Sequence, residues 1–183
     1  MLALKYRRIG MVGRWKPVHV GQAVVLRALC SRADQVVIGV GSSNRYNMRN
    51  PFTFEETEAM IRLVLRDESN YSILPVPDLD DGPRWRLMVR DLFGDLDLLV
   101  TENPYVTELM KDIYPLARPV EFVPAGERVR VDGSMVRARM ARGEQWQDWV
   151  PPRCVEYIES HGLDVRFRRE FGLQTLAMET VIQ

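Results

Sequence analysis

Between Ile9 and Gly41 two apolar runs flank a helical pattern, and no other feature of the sequence constrains the fold as tightly. The first run, Ile9 to Val12, ends a strand expected from Tyr6 and leads into Gly13-Arg14-Trp15-Lys16-Pro17-Val18-His19-Val20-Gly21-Gln22. Val20 to Arg32 then reads as a helix, with Val24, Val25, Ala28 and Leu29 at helical spacing. Asp34 opens the second run, Gln35 to Gly41, whose continuous apolar character predicts a strand covered on both faces. Strand, helix and strand of this length make one βαβ unit, and such a unit demands a parallel pair.

The remaining chain repeats the alternation. A polar loop, Ser42 to Asn50, leaves the second strand at its carboxyl end, where open α/β sheets hold their ligands. Thr53 and Glu56 form a capping box before a helix expected to reach Asp67. Further strands are expected at Tyr71–Val76, Leu96–Thr101 and Pro119–Pro124. Helices are expected at Arg84–Leu92, Tyr105–Ile113, Gly133–Arg142 and Pro152–His161, with a short turn or helix at Gln145–Val150. The economical architecture is a single three-layer, Rossmann-like α/β domain with a parallel sheet over residues 1–162. Residues 163–183 form a C-terminal extension, read as an edge strand at Leu163–Phe167 followed by a short helix or a tail.

Composition narrows the function classes. Lys plus Arg and Asp plus Glu each number 25 in 183 residues, so no global basic excess points to nucleic acid. No apolar run reaches the ~20 residues of a bilayer span, and the apolar segment behind the basic Met1–Arg8 stretch is too short for a signal peptide. Cys30 and Cys154 lie far apart in apolar helical patterns, fit no metal-ligand spacing and suit the reducing cytoplasm.

The turn after the first strand has the means to hold phosphate. A helix start offers unpaired N–H groups and the positive end of its dipole. Gly21 permits close backbone approach, His19 can donate from a ring nitrogen, and Arg14 and Lys16 supply positive charge. Gly13 marks the turn itself.

Gly13 to Gln22 resembles the G-R-F-Q-P-F-H-x-G-H signature of the HxGH nucleotidyltransferase superfamily, and within it the archaeal-type nicotinamide mononucleotide adenylyltransferases. Seven further stretches are similar and in order: Ile38–Asn44, Arg49–Thr53, Ile73–Asp78, Trp85, Thr101–Pro104, Asp132–Met140 and Trp146–Pro151. The resemblance covers residues 8 to 160 and implies transfer of the adenylyl group of ATP to nicotinamide mononucleotide, giving NAD and pyrophosphate. It implies catalytic duty for His19, Arg14, Lys16 and Arg137, and ATP binding by Gly13, Gly21, Gln22, Ser134 and Asp132. The second nucleotide falls to Ser42, Asn44, Arg49, Asp78, Trp85 and Asn103, with Trp85 against the pyridine ring. Mg²⁺ is expected as the cofactor, held mainly by phosphate oxygens and water rather than by protein ligands. A homo-oligomer is compatible with the resemblance, while a membrane or nucleic-acid partner is not expected.

Two departures stand out. Gln22 replaces the second histidine of the signature, and Asp132 and Ser134 replace the serine and threonine of S-G-T. Glutamine donates a hydrogen bond but carries no charge, and a carboxylate repels phosphate unless a cation intervenes. Reduced turnover, a different acceptor or NTP, and a nucleotide-binding regulatory protein without turnover therefore stand as alternatives. Several residues also carry plainer readings. Trp85 suits core packing, Arg49 a solvated loop, Asn103 a helix cap, and Asp78, Asp80 and Asp81 an acidic turn. Arg139 and Arg142 read as surface charges and His161 as a residue of a helix C-terminus.

Overall fold

The computed structural model describes residues 6–181, with side chains to residue 178. Five parallel strands, β1 (Tyr6–Gly13), β2 (Ala33–Gly41), β3 (Tyr71–Val76), β4 (Leu98–Val100) and β5 (Leu116–Ala117), form one sheet in the order β3-β2-β1-β4-β5. This is the doubly wound order, whose direction reverses between β1 and β4. Among the described residues seven α-helices accompany it: α1 (Val20–Arg32), α2 (Phe54–Val64), α3 (Gly82–Phe93), α4 (Pro104–Met110), α5 (Gly133–Arg142), α6 (Pro152–Ser160) and α7 (Leu163–Val181). The α/β class and the parallel sheet are those expected.

The chain divides into two compact units. The first contains residues 6–14, 24–44 and 65–128, and so holds the sheet with α3 and α4. Its core gathers Val37, Val76, Val89, Phe93, Leu99, Val106, Met110 and Tyr114. Phe93 occupies a slot made by two glycines on neighbouring strands. A Cβ on Gly10 would lie 2.9 Å from its ring, and one on Gly39 would lie 2.7 Å from it. Neither position tolerates a side chain while the ring stays, and removing the ring costs about 3–5 kcal/mol. The second unit contains residues 15–23, 45–64 and 129–181, in which α7 packs on α5 and α6 packs on α2 and α7.

Local chemistry starts most helices. Thr53 and Glu56 close the expected box before α2: the Thr53 N–H donates to Glu56 Oε2 at 2.9 Å and the Glu56 N–H to Thr53 Oγ1 at 3.2 Å. Asp81 caps α3, Asn103 caps α4 and Asp132 caps α5, each accepting helix N–H groups.

Two expectations fail. Pro119–Pro124 is not a strand; Pro119–Glu121 is a 3₁₀ turn, and β5 lies just before it. Proline brings no N–H to a ladder, and the Arg118 N–H is taken by Glu121 Oε1 at 2.7 Å. Phe122 packs on Tyr6, with Arg32 over its ring. Leu163–Phe167 is likewise not an edge strand but the start of α7. Leu163 and Phe167 are both buried, at the i, i+4 spacing of one helix face. Val181 ends α7, and Ile182 and Gln183 lie outside the described residues. Several ends also move: α2 stops at Val64, α4 at Met110, and β4 is confined to Leu98–Val100.

Candidate active site

The turn after β1 is a buried structure. Trp15, Lys16, Val18 and His19 are all at most 8% exposed, and Arg14 alone of its cations is exposed. Trp15 sits at φ 55°, a left-handed backbone uncommon for so bulky a residue.

His19 directly precedes α1, and its carbonyl accepts the first helical N–H, from Ala23, at 3.0 Å. Its N–H donates to Gln22 Oε1 at 3.3 Å, while the Gln22 N–H donates to His19 Nδ1 at 3.3 Å. This is a reciprocal capping box with histidine in the serine position and Gln22 at N3. It also fixes the imidazole. An Nδ1 that accepts a hydrogen bond carries no proton, so in the neutral ring the proton sits on Nε2. Burial lowers the His19 pKa to about 4, against the opposing pull of the Asp132 carboxylate. Near neutral pH the ring is therefore an uncharged Nε2–H donor. Gly21 leaves the room: a Cβ there would lie 3.3 Å from the His19 ring and 3.3 Å from the Val129 carbonyl. The glycine thus serves the packing of the histidine.

The start of α5 joins the same unit. Arg137 Nη1 donates to the Lys16 carbonyl at 2.8 Å, tying the helix to the turn. Asp132 Oδ1 accepts the N–H groups of Ser134 at 2.8 Å and Met135 at 2.9 Å, and the Ser134 hydroxyl as well. Burial works to raise the Asp132 pKa, but the bonds from Ser134 and Met135, with His19 nearby, outweigh it and hold the carboxyl below its ordinary value. Asp132 is thus turned to the start of α5 as its cap.

The first unit gathers a second group at the carboxyl ends of β2 and β3. Ser42 Oγ donates to Asp78 Oδ1 at 3.2 Å, Asn44 Nδ2 to the Asp78 carbonyl at 2.9 Å, and the Asp78 N–H to Asn44 Oδ1 at 2.8 Å. Trp85 lies half-buried against the core of that unit, and the Asn103 side chain is occupied by the Tyr105 N–H at 2.9 Å. Gly13 ends β1 and belongs to the first unit with Arg14. Arg49 is exposed in the second unit, its N–H bound to Asn47 Oδ1 at 3.0 Å. The structure therefore brings together Lys16, His19, Gly21, Gln22, Asp132, Ser134 and Arg137 in one unit, and Ser42, Asn44 and Asp78 in the other.

Other singled-out residues resolve into structural partners. Asp81 caps α3, and among the described residues no group of three or more His, Cys, Asp or Glu is placed to hold a metal ion. Arg139 is more than a surface charge: its guanidinium lies 3.6 Å from the Trp149 ring centre and donates to the Gln145 carbonyl. Cys30 and Cys154 are buried free thiols, and burial pushes Cys30 up to about 12. Asn47, which closes the Arg49 turn, and Val129, which backs Gly21, escaped sequence reasoning. An Asn with a partner three residues on was a usable signal for the first; nothing local marks the second.

Known proteins share this arrangement of sequence and fold. No family model matches the chain. A nicotinamide-nucleotide adenylyltransferase of Methanococcus vannielii is 32% identical over 153 residues, covering 82% of this chain and 87% of that protein. Those of Methanoculleus marisnigri and Thermoplasma acidophilum are 33% identical over 164 residues and 31% over 167, covering 88% and 90% of this chain. Among solved structures, a bifunctional NMN adenylyltransferase/ADP ribose pyrophosphatase of Francisella tularensis, complexed with AMP and a manganese ion, aligns with TM-score 0.70 at 16% identity. That match covers 97% of this chain but 56% of the bifunctional protein, and it speaks for the fold alone. With archaeal relatives at this identity across more than four-fifths of its length, the chain belongs to the nicotinamide-nucleotide adenylyltransferase family.

Proposed function

We propose that the protein transfers the adenylyl group of ATP to nicotinamide mononucleotide. A phosphate oxygen of the mononucleotide attacks the α-phosphorus, the bond from that phosphorus to the bridging oxygen breaks, and NAD and pyrophosphate result. The observation that carries this reading is the capped His19: a buried imidazole held neutral with its proton on Nε2. Such a group gives a fixed donor to a developing anion without needing to change protonation state. The reaction needs alignment and charge stabilisation rather than a protein nucleophile. His19, Lys16, Arg137 and the exposed Arg14 are assigned to the triphosphate, with Gly13, Gly21, Gln22 and Ser134 shaping its cradle. Asp132 orders the start of α5.

Ser42, Asn44, Asp78, Arg49, Trp85 and Asn103 are assigned to the acceptor nucleotide. A divalent ion, Mg²⁺ in this reading, arrives with the triphosphate and neutralises its oxygens. Residues 1–162 are assigned the transfer chemistry and residues 163–183 a supporting role. No described helix is long and apolar enough to cross a membrane, and with two buried free thiols we place the protein in the cytoplasm.

The test is direct. Purified protein with ATP, Mg²⁺ and nicotinamide mononucleotide should form NAD and pyrophosphate in equal amounts. NAD no higher than that from His19→Ala would refute the activity.

A further inference from the structure

The loop that carries Arg49 is fastened at both ends to α7. Three residues before Arg49, the Tyr46 hydroxyl donates to the Glu170 carboxylate, and its ring meets Phe171 edge-on at 5.2 Å. Two residues after Arg49, the Pro51 carbonyl accepts Arg166 Nη2 at 3.0 Å. The same guanidinium makes a two-pronged pair with Glu56 at 2.6 and 2.7 Å, and lies 5.7 Å from the Tyr46 ring centre. Between these anchors the loop closes on itself: Asn47 Oδ1 accepts the N–H groups of Arg49 and Asn50 and the Asn50 side-chain amide. Arg49 is exposed on this braced turn.

We infer that Tyr46, Arg166 and Glu170 are positioning residues for acceptor binding, and that α7 sets the affinity for the mononucleotide by holding the turn that presents Arg49. The inference rests on the proposed assignment of Arg49 to the acceptor. Energetic proportion supports it. The Arg166–Glu56 pair is bidentate, with both side chains at most 24% exposed, so it is screened far less than a surface pair. A loop without such bracing would have to be ordered by the ligand itself, at a cost in affinity. The α7 partners of both anchors, Arg166 and Glu170, lie beyond residue 160, outside the stretches that resemble the adenylyltransferase motifs.

The experiment uses the intact protein. Tyr46→Phe keeps the ring and removes the hydroxyl, and Arg166→Lys keeps the charge and removes the fork. Each should raise KM for nicotinamide mononucleotide about tenfold. KM for ATP should stay within about twofold of the wild-type value. In an Arg49→Ala background Tyr46→Phe should add nothing, because its effect runs through Arg49. Hydrogen exchange of the amides of residues 47–50, read without substrate, should quicken in Tyr46→Phe. An unchanged acceptor KM in Tyr46→Phe, an equal rise in KM for ATP, or full additivity with Arg49→Ala overturns the inference. If the wild-type protein forms no NAD, the proposed activity fails by itself. The exchange measurement then decides the bracing, and unchanged protection of residues 47–50 overturns it.

Discussion

The turn from Trp15 to Gln22 and the loop from Ser42 to Asn50 carry candidate residues by opposite means. In the turn the side chains from Trp15 to His19 are buried, and the polar groups close on one another through a capping box and through α5. In the loop Asn44, Tyr46, Asn47 and Arg49 are exposed, and order comes from side chains folded back on backbone or reaching to α7. Burial lets the turn fix the protonation state of its histidine, because desolvation disfavours the charged ring. Exposure leaves Arg49 accessible, with position as the property that needs support.

Mutations should separate the two regions sharply. The largest effect is expected from His19→Ala, which removes the buried donor and should lower kcat by about 10²–10³-fold while circular dichroism stays native. Retention of more than a tenth of the wild-type rate would break the contrast.

Next comes pH. Folded His19 takes up a proton only near 4, whereas in the unfolded chain it does so near the ordinary 6.5. Between these values the unfolded state binds more protons, so the stability contribution is complete above 6.5 and is lost as pH falls toward 4. The loss should reach about 3 kcal/mol. Urea titrations above and within that window would show it, and His19→Gln should flatten the slope.

Gln22→Glu should act more mildly and selectively. Glutamate keeps the acceptor for the His19 N–H, so the melting temperature should hold, but a carboxylate beside a polyanion should raise KM for ATP about tenfold. Parallel loss of stability and activity would mean that Gln22 serves the helix alone.

The smallest effect belongs to the start of the Ser42–Asn50 loop. Ser42→Ala removes one bond to Asp78 at 3.2 Å and should cost about 1 kcal/mol in thermal unfolding, with KM for ATP unchanged.

What could be read from sequence divides along the same line as these effects. The Thr53–Glu56 box and the Asn103 cap are contacts within three residues, so local pattern exposed them. The box of His19 and Gln22 has the same spacing, yet Gln22 invited a reading as a weakened phosphate ligand because its place in the motif drew attention from its place in the helix. Val120, Phe122 and Val123 have strand propensity, but Pro119 cannot join a ladder and the pairing went to Leu116–Ala117. Apolar residues at Leu163, Val165 and Phe167 alternate as in a strand, and only the burial of Leu163 and Phe167 with Val165 56% exposed shows which period holds.

By itself the sequence determined the parallel βαβ framework, the place of the Gly13–Gln22 turn after β1 and the family, because these depend on apolar period and on residues adjacent in the chain. Tertiary structure alone decided the neutral state of His19, the approach of Asp132 to it and the bracing of the Arg49 turn by α7. Those depend on burial and on partners more than a hundred residues apart, which no local pattern encodes.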